Sequence, residues 1–151
     1  MIYVLAIIIG VVAGLRSMLA PAVVSWGVRL GALHVTGTWL VFLGKLWVVW
    51  LFTVLAVGEL IVDQLPTTPA RTMPVPFTAR LASGALTGAA IGADRGNWVA
   101  GAGAGAVGAA IGTLAGRAAR ARLAAAFGRD RPAAFIEDAV AIVVALAAAL
   151  V

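Results

Sequence analysis

Long apolar runs alternate with short polar stretches along this chain. The runs cover residues 2–30, 39–63, 77–93, 98–127 and 132–151, and a helix needs ~20 apolar residues to cross a bilayer. Four of the runs meet that length, whereas the run 77–93 is shorter and rich in small residues, so it is open to two interpretations, a full span or a re-entrant segment. The pattern predicts an all-α polytopic transmembrane helix bundle of about five spans, forming a single domain.

Two polar interruptions shape this prediction. Arg16 and Pro21 lie inside the first run, and a proline there removes a backbone donor, so we expect that helix to be kinked or broken near Arg16 to Pro21. Residues 63–76 hold four of the six prolines and are expected to form a polar loop. Pro132 suits the first turn of the last helix.

Composition supports a lipid environment. The 151 residues are 63% hydrophobic and 11% charged, which leaves too little polar surface for a water-soluble domain. There is no Cys and one His, so thiolate chemistry and a histidine-rich metal site are excluded, and no cofactor is expected. The net charge is +5, yet the arginines lie at the ends of apolar runs, so we interpret them as topology signals and expect no nucleic-acid partner.

The distribution of Lys and Arg predicts an orientation. With five spans, the loop 63–76 with its flank and the region 117–131 share a side with the N-terminus, and the opposite side has only Arg29, Lys45 and Arg95. The side that is rich in basic residues, shared with the N-terminus, carries Arg71, Arg80, Arg117, Arg120, Arg122, Arg129 and Arg131. The N-terminus is therefore predicted to be cytoplasmic, with Trp26, Trp39 and Trp98 at the outer interface.

Glycines recur every three or four residues in the third and fourth segments, so each set lies on one helical face. The third segment has Gly84, Gly88 and Gly92, and the fourth has Gly101, Gly105, Gly108, Gly112 and Gly116. Small residues at this spacing let two helix backbones approach closely, so we predict helix packing, with a pore wall as the alternative.

Ionisable residues within the apolar segments or in the polar loop 63–76 are the candidates for a polar or transport site. They are Arg16, Glu59, Asp63, Arg71, Arg80, Glu137 and Asp138. Glu59 and Asp63 share a helical face, and Glu137 and Asp138 lie about one turn into the last segment. The alternative for the acids near helix ends is capping and stabilisation of the helix dipole.

Among these residues, Arg16 is expected to have the highest energetic cost of burial. It lies ~20 Å from the chain start by helical rise, near the bilayer middle, where an unpaired guanidinium costs several kcal/mol. Glu59 is the most deeply placed acid, and we predict it as the partner of Arg16. No phosphate-binding loop, zinc-binding HExxH or other catalytic motif occurs, so enzymatic activity is disfavoured, and Ser17, Ser25 and Ser83 are interpreted as packing hydroxyls.

Four stretches carry a family resemblance. AGLRSMLAPA (13–22), GELIVDQLPTTPART (58–72), ARLASGALTGAAIG (79–92) and IEDAVAI (136–142) make the chain resemble a family of bacterial integral membrane proteins catalogued as domain of unknown function 4126. Gln64 and Ala70 depart from that pattern, where Lys and Ser are expected. The resemblance implies the bacterial inner (cytoplasmic) membrane and draws attention to Pro66 and Pro69 beside the ionisable candidates, but it implies no activity.

Two functions follow as hypotheses. The first is a small transporter or channel that passes an ion or small solute through a polar site formed by Arg16 and carboxylates between helices. The alternative is a structural or accessory subunit of a membrane complex, assembled through its glycine faces. Both predict a homo-oligomer in the lipid bilayer. A cavity lined by Arg16, Glu59 and Asp63 would favour transport, and a dry interface would favour the structural role.

Overall fold

The computed structural model describes residues 2–62, 74–94, 96–127 and 130–149, and every regular element in these ranges is a helix. The α-helices are α1 (Ile2–Leu15), α2 (Leu19–Arg29), α3 (Leu46–Val62), α4 (Pro74–Ala93), α5 (Trp98–Phe127) and α6 (Asp130–Ala149), and a 3₁₀ helix covers Trp39–Gly44. The predicted all-α class is confirmed for this part of the chain.

The first helix runs alongside the long helix α5 in the same direction. Gly10 of α1 packs against Gly105, and one turn later Gly14 packs against Ala109. Because residue numbers increase in the same direction along both helices from one contact to the next, α1 and α5 are parallel. The start of α1 therefore lies near the start of α5, which we call the Trp98 end of the fold.

The second helix runs back toward the Trp98 end. Ser17, before its start, lies beside Ser83 of α4. The backbone amide of His34, after its end, donates to Oδ1 of Asp94, which directly follows α4, at 3.1 Å. α2 is thus parallel to α4, and α4 is antiparallel to α5. Helices α1 and α2 consequently run in opposite directions and form an open hairpin with residues 16–18 at its tip.

This hairpin corrects the prediction that residues 2–30 form a single span. The predicted break near Arg16 to Pro21 is present, but the chain turns back there instead of continuing. The start of α1 therefore lies at the Trp98 end and not, as predicted for the N-terminus, at the end where α3 finishes and α4 begins. The reversal is possible because neighbouring helices supply hydrogen-bond partners for the backbone at the tip, as described below.

The second and third segments also differ from prediction. α4 is one continuous helix of 20 residues, so the segment that turns back is the first and not the third. In the second segment, Trp39–Gly44 forms the 3₁₀ helix, whose start is capped by the Thr38 hydroxyl 3.3 Å from the Leu40 amide. Lys45 then has an extended backbone, which separates this turn from α3.

The glycine faces lie where α1, α4 and α5 meet. A Cβ atom on Gly84 would lie 2.6 Å from the Gly105 carbonyl oxygen, and one on Gly88 would lie 2.8 Å from the Gly105 Cα. Gly108 and Gly112 of α5 approach the backbone of α1 in the same way. Direct backbone contact therefore joins these three helices. Helices α2 and α6 pack against them, and α3 packs mainly on α2 and the 3₁₀ helix.

Among the described residues, one helical stretch is long and apolar enough to cross a membrane, Trp98–Leu123 within α5. Ile2–Leu15, Leu46–Val62 and Asp138–Ala147 are apolar but shorter. Large apolar side chains such as Trp47, Val54 and Ile61 lie on the outer surface.

We expect Gly105→Ala to lower the free energy of unfolding by about 1–3 kcal/mol, because the new methyl group would overlap the backbone of α4. Gly103→Ala is the matched control, since Gly103 has open space at the Cβ position, and its effect should be neutral or stabilising by up to about 1 kcal/mol. Denaturant unfolding in detergent, followed by circular dichroism, measures both. Equal effects of the two substitutions would contradict this packing.

Candidate functional site: the polar cluster at the hairpin tip

The last carbonyl groups of α1 are bound by an arginine from α4. The Nη1 atom of Arg80 donates to the carbonyl oxygens of Gly14 and Leu15, each at 2.7 Å. The Thr113 hydroxyl of α5 also donates to the Gly14 carbonyl, at 3.2 Å. A helix C-terminus carries partial negative charge and unpaired carbonyls, so a buried guanidinium stabilises it both as donor and as cation.

The start of α2 is bound by a carboxylate from α3. Glu59 Oε1 accepts hydrogen bonds from the Ser17 amide at 2.8 Å and the Ser17 hydroxyl at 2.6 Å, and Oε2 accepts from the Met18 amide at 2.8 Å. Met18, the residue before α2, makes no side-chain cap of its own. Glu59 therefore acts as the N-terminal cap of a helix to which it does not belong.

Pro21 explains a further contact at the tip. Its nitrogen carries no proton, so the Ser17 carbonyl four residues earlier cannot receive the usual helical hydrogen bond. The Ser83 hydroxyl of α4 donates to this carbonyl instead. Pro21 therefore both favours the break and leaves the Ser17 carbonyl without a helical donor, and Ser83 of α4 provides a donor in its place.

Arg16 lies between the two helices and is completely buried. Its Nη2 atom forms an ion pair with Oδ1 of Asp138 on α6, whose side chain is 10% exposed. The predicted partner, Glu59, instead binds the start of α2, so the preferred pairing of Arg16 with Glu59 is wrong. Glu59 is the deepest acid by distance along its own helix, but the acid that reaches Arg16 is set by the position of α6, which such distances do not give.

Residues Arg16, Ser17, Glu59, Arg80, Ser83 and Asp138 together form what we call the tip cluster. Arg80 Nη2 lies 3.9 Å from Glu59 Oε1, and their side chains are 5% and 12% exposed. Among the described side chains, two guanidinium groups and two carboxylates meet here in a poorly hydrated interior, where each charge would be costly alone. Each of these two carboxylates already accepts hydrogen bonds from protein donors. The described residues therefore form a closed ionic cluster, and they include no group of acids or histidines that could hold a metal ion.

The structure brings four of the predicted candidates together, Arg16, Glu59, Arg80 and Asp138. Asp63 and Arg71 lie outside the described residues, as does the side chain of Glu137 within α6. The predicted packing glycines of α4 and α5 lie at helix contacts, and Gly116 is buried beside α6.

Several residues of this region were not predicted from the sequence as members of the site. Ser17 and Ser83, interpreted only as packing hydroxyls, bind the backbone or the carboxylate at the tip. Ser83 follows Arg80 by three residues, a spacing that puts both on one helical face and could have identified it. Gly10 and Gly14 of α1 also repeat at four residues, and this signal was present in the first segment.

No protein-family model, curated protein or solved structure matches this chain.

Removal of either member of the Arg16–Asp138 pair should lower the free energy of unfolding by about 3–5 kcal/mol. The remaining charge stays buried but loses this ion-pair partner. Arg16→Ala and Asp138→Ala combined should cost less than the sum of the single losses, with a coupling of about 0.5–3 kcal/mol. Unfolding titrations of the four proteins in detergent measure this coupling.

The matched control is the cycle of Arg16→Ala with Glu59→Gln, for which we expect a smaller coupling energy. Strictly additive losses for Arg16 and Asp138 would show that the pair does not contribute as a unit.

Proposed function

We propose that this protein is a small integral membrane protein in which α3, α4, α5 and α6 cross the bilayer and the α1–α2 hairpin enters it from one side. The supporting observation is the distribution of polarity. Among the described residues, Arg16 is the largest fully buried side chain, whereas Trp, Val, Leu and Ile side chains cover much of the surface. Apolar groups outside and paired charges inside are what lipid solvation favours.

Helix lengths support a tip inside the hydrocarbon layer. Glu59 follows the start of α3 by 13 residues, and Arg80 precedes the end of α4 by 13. At the α-helical rise, both distances correspond to about 20 Å from the Trp98 end, within a hydrocarbon core of about 30 Å. Irregular backbone is tolerated at that depth only where protein groups satisfy it, as Glu59 and Arg80 do here.

The basic residues support an orientation in the bilayer. Arg117, Arg120 and Arg122 lie toward the Phe127 end of α5, which we assign to the cytoplasmic side. The Trp98 end, where Trp39 and Trp98 pack with ring centroids 6.1 Å apart, is then the outer side. This orientation puts the start of α1 outside, in contrast to the predicted cytoplasmic N-terminus. A bacterial inner membrane and the family resemblance remain part of the proposal.

For activity, we favour a transporter or channel that passes a small ion or solute at the tip cluster. The observation that carries this proposal is the pair of helix ends that meet at membrane depth together with four charged side chains. Discontinuous helices place their terminal dipoles and free backbone groups next to a solute at the middle of many transporters. Ionisable groups at this depth are otherwise costly, which favours a functional use.

The cluster is closed in this structure, so transport requires exchange of partners. Glu59 occupies the amides at the start of α2, and it belongs to α3, which packs mainly on α2 and the 3₁₀ helix. Movement of α3 would withdraw the carboxylate and release two amides and the Ser17 hydroxyl. The released amides and hydroxyl, next to Arg80, would then donate hydrogen bonds to an anionic or polar group in place of Glu59.

The closed state also supports the alternative, a structural or accessory subunit. The described contacts of Glu59 and the Nη1 contacts of Arg80 are made to protein groups, as expected for a dry interface. In that role the charges would serve to hold the hairpin in place, and the exposed apolar side chains of α3 would face lipid or another subunit.

Single-cysteine labelling tests the hairpin and its orientation, and the absence of native Cys removes any background. We expect a cysteine added ahead of Met1 and the variant Thr36→Cys to react with a membrane-impermeant maleimide from the outside of intact cells. Ala121→Cys should react only after permeabilisation, because it lies about 34 Å along α5 from Trp98. Opposite accessibility of the Met1 and Thr36 positions would show that residues 2–30 cross the membrane once.

Flux measurements in proteoliposomes test transport. We expect the wild-type protein to carry at least one of protons, chloride or potassium, and Glu59→Gln to change that flux by a factor of about 10 or more, equivalent to 1.4 kcal/mol, since the exchanging charge is lost. Asp94→Asn is the matched control, because it neutralises a carboxylate at the Trp98 end, away from the tip cluster.

Thermal unfolding of each variant separates loss of activity from loss of fold. Absence of flux for every ion, together with reduced stability of Glu59→Gln, would favour the structural role. Flux that is equal in Glu59→Gln and Asp94→Asn would remove the tip cluster from the transport path.

A further inference from the structure

A pocket of about 400 Å³ lies at the Trp98 end of the fold, and we call it the outer pocket. Its wall is formed by the end of α2, the turn that follows and the end of the 3₁₀ helix. The residues that line it include Arg29, Leu33, His34, Thr36, Val41 and Lys45. This volume exceeds what a monatomic ion needs and is within the range of sites for small molecules.

Two cations border the outer pocket from different elements. Arg29 is the last residue of α2, and Lys45 directly follows the 3₁₀ helix. A Cβ atom on Gly44 would lie 2.9 Å from Val28 Cγ1 and 3.8 Å from the Arg29 amide nitrogen, so the ends of the two helices are in contact. The two basic residues therefore belong to adjoining parts of one wall.

The charge of this wall is not compensated by the described residues. Neither Arg29 nor Lys45 forms an ion pair or a side-chain hydrogen bond within the described part of the chain, and the described lining contains no acid. Asp94 lies beside the turn, where its Oδ1 atom is 3.1 Å from the His34 amide and 3.3 Å from the His34 ring. Stabilisation of the α2 C-terminus accounts for Arg29 but not for Lys45 or the pocket between them.

Backbone donors in the turn are also available. Val35 and Thr36 line the outer pocket, and their amides form no hydrogen bond with the described residues. Guanidinium, ammonium and amide groups all donate hydrogen bonds, and the first two add positive charge. An oxyanion accepts several such bonds at once, so this set of donors fits an oxyanion better than a cation or a neutral solute.

We propose that the outer pocket binds a small oxyanion and is the outer entry site for the solute that is exchanged at the tip cluster. This inference rests on the proposed transport function and names the substrate as an anion. The tip cluster favours the same sign of charge, because withdrawal of Glu59 would leave two amides and the Ser17 hydroxyl as donors next to Arg80.

Ser25 connects the two sites along α2. It is completely buried, and its hydroxyl forms no hydrogen bond with the described residues. Ser25 precedes Arg29 by four residues and follows Met18 by seven, so all three lie on one helical face that leads from the outer pocket to the tip. An unpartnered hydroxyl in the interior is costly, and a polar solute that passes along this face would use it.

Sulfate binding to the full-length protein in detergent tests the outer pocket. Isothermal titration calorimetry at constant ionic strength, with chloride as the competing anion, measures the affinity. We expect Arg29→Gln and Lys45→Gln each to weaken sulfate binding at least about 3-fold, because each removes one solvent-exposed charged contact. Arg122→Gln is the matched control, since it removes the same charge at the opposite end of the fold, and it should leave the affinity unchanged.

Competition with lipid separates a free oxyanion from the phosphate of a lipid headgroup. The described lining lies at helix ends and in a turn and includes no residue of α3, α4, α5 or α6, which favours a solute that arrives from water. Phosphatidylglycerol should therefore displace sulfate no more than phosphatidylcholine does. Selective displacement by phosphatidylglycerol would assign the pocket to a lipid headgroup and overturn its role in solute entry.

Sulfate uptake into proteoliposomes tests the route along α2. Ser25→Ala should lower uptake at least about 3-fold through loss of one hydrogen-bonding group, without lowering thermal stability, because the hydroxyl has no partner among the described residues. Thr87→Val is the matched control. It removes a buried hydroxyl of α4 that bonds to carbonyls of its own helix, and uptake should remain at the wild-type level.

Absence of sulfate binding, or equal losses of affinity in Arg29→Gln and Arg122→Gln, would overturn the assignment of the outer pocket. Flux of potassium without flux of sulfate would overturn its role in entry. Binding is measured without flux, so a protein that binds sulfate specifically but carries no ion would contradict the proposed transport function, and the role in entry with it, while the anion site would stand.

Discussion

Backbone groups at a helix end must find hydrogen-bond partners wherever water is absent, and this requirement governs the centre of the structure. Helix α1 ends and α2 begins among other helices, which leaves carbonyls and amides unpaired by the helices themselves. Arg80 binds the carbonyls of α1, and Glu59 binds the amides of α2. The sign of each side chain matches the dipole of the helix end it binds, so hydrogen bonding and electrostatics act together.

The glycine contacts provide the frame that holds this arrangement. Since α1, α4 and α5 meet backbone to backbone, few rotatable side chains separate them, and small changes in position would create overlap. Arg80 on α4 and Thr113 on α5 are thereby held at a fixed height beside the Gly14 carbonyl. Rigid packing in one part of the fold thus sets the geometry of the polar groups in another.

The same contacts connect the two functional hypotheses. A cluster whose acids and arginines bind protein groups is a stable closed state, and replacing one of its internal partners by a solute group is the simplest way for it to open. Glu59 is the group best placed for that exchange, since it reaches the tip from a helix outside the glycine-packed frame. If the cluster never opens, the identical contacts describe a structural anchor for the hairpin.

The sequence by itself determined the helical class, the break near Arg16 and Pro21, the faces formed by the glycines and most of the charged candidates, because these depend on local periodicity and composition. It did not determine the direction of the chain after the break or the carboxylate that Arg16 binds. Those features depend on groups far apart along the chain: Glu59 and Arg80 permit the reversal by satisfying the backbone at the tip, and α6 brings Asp138 to Arg16. Only the tertiary structure could decide them, since local pattern carries no information on which distant side chain completes a helix end.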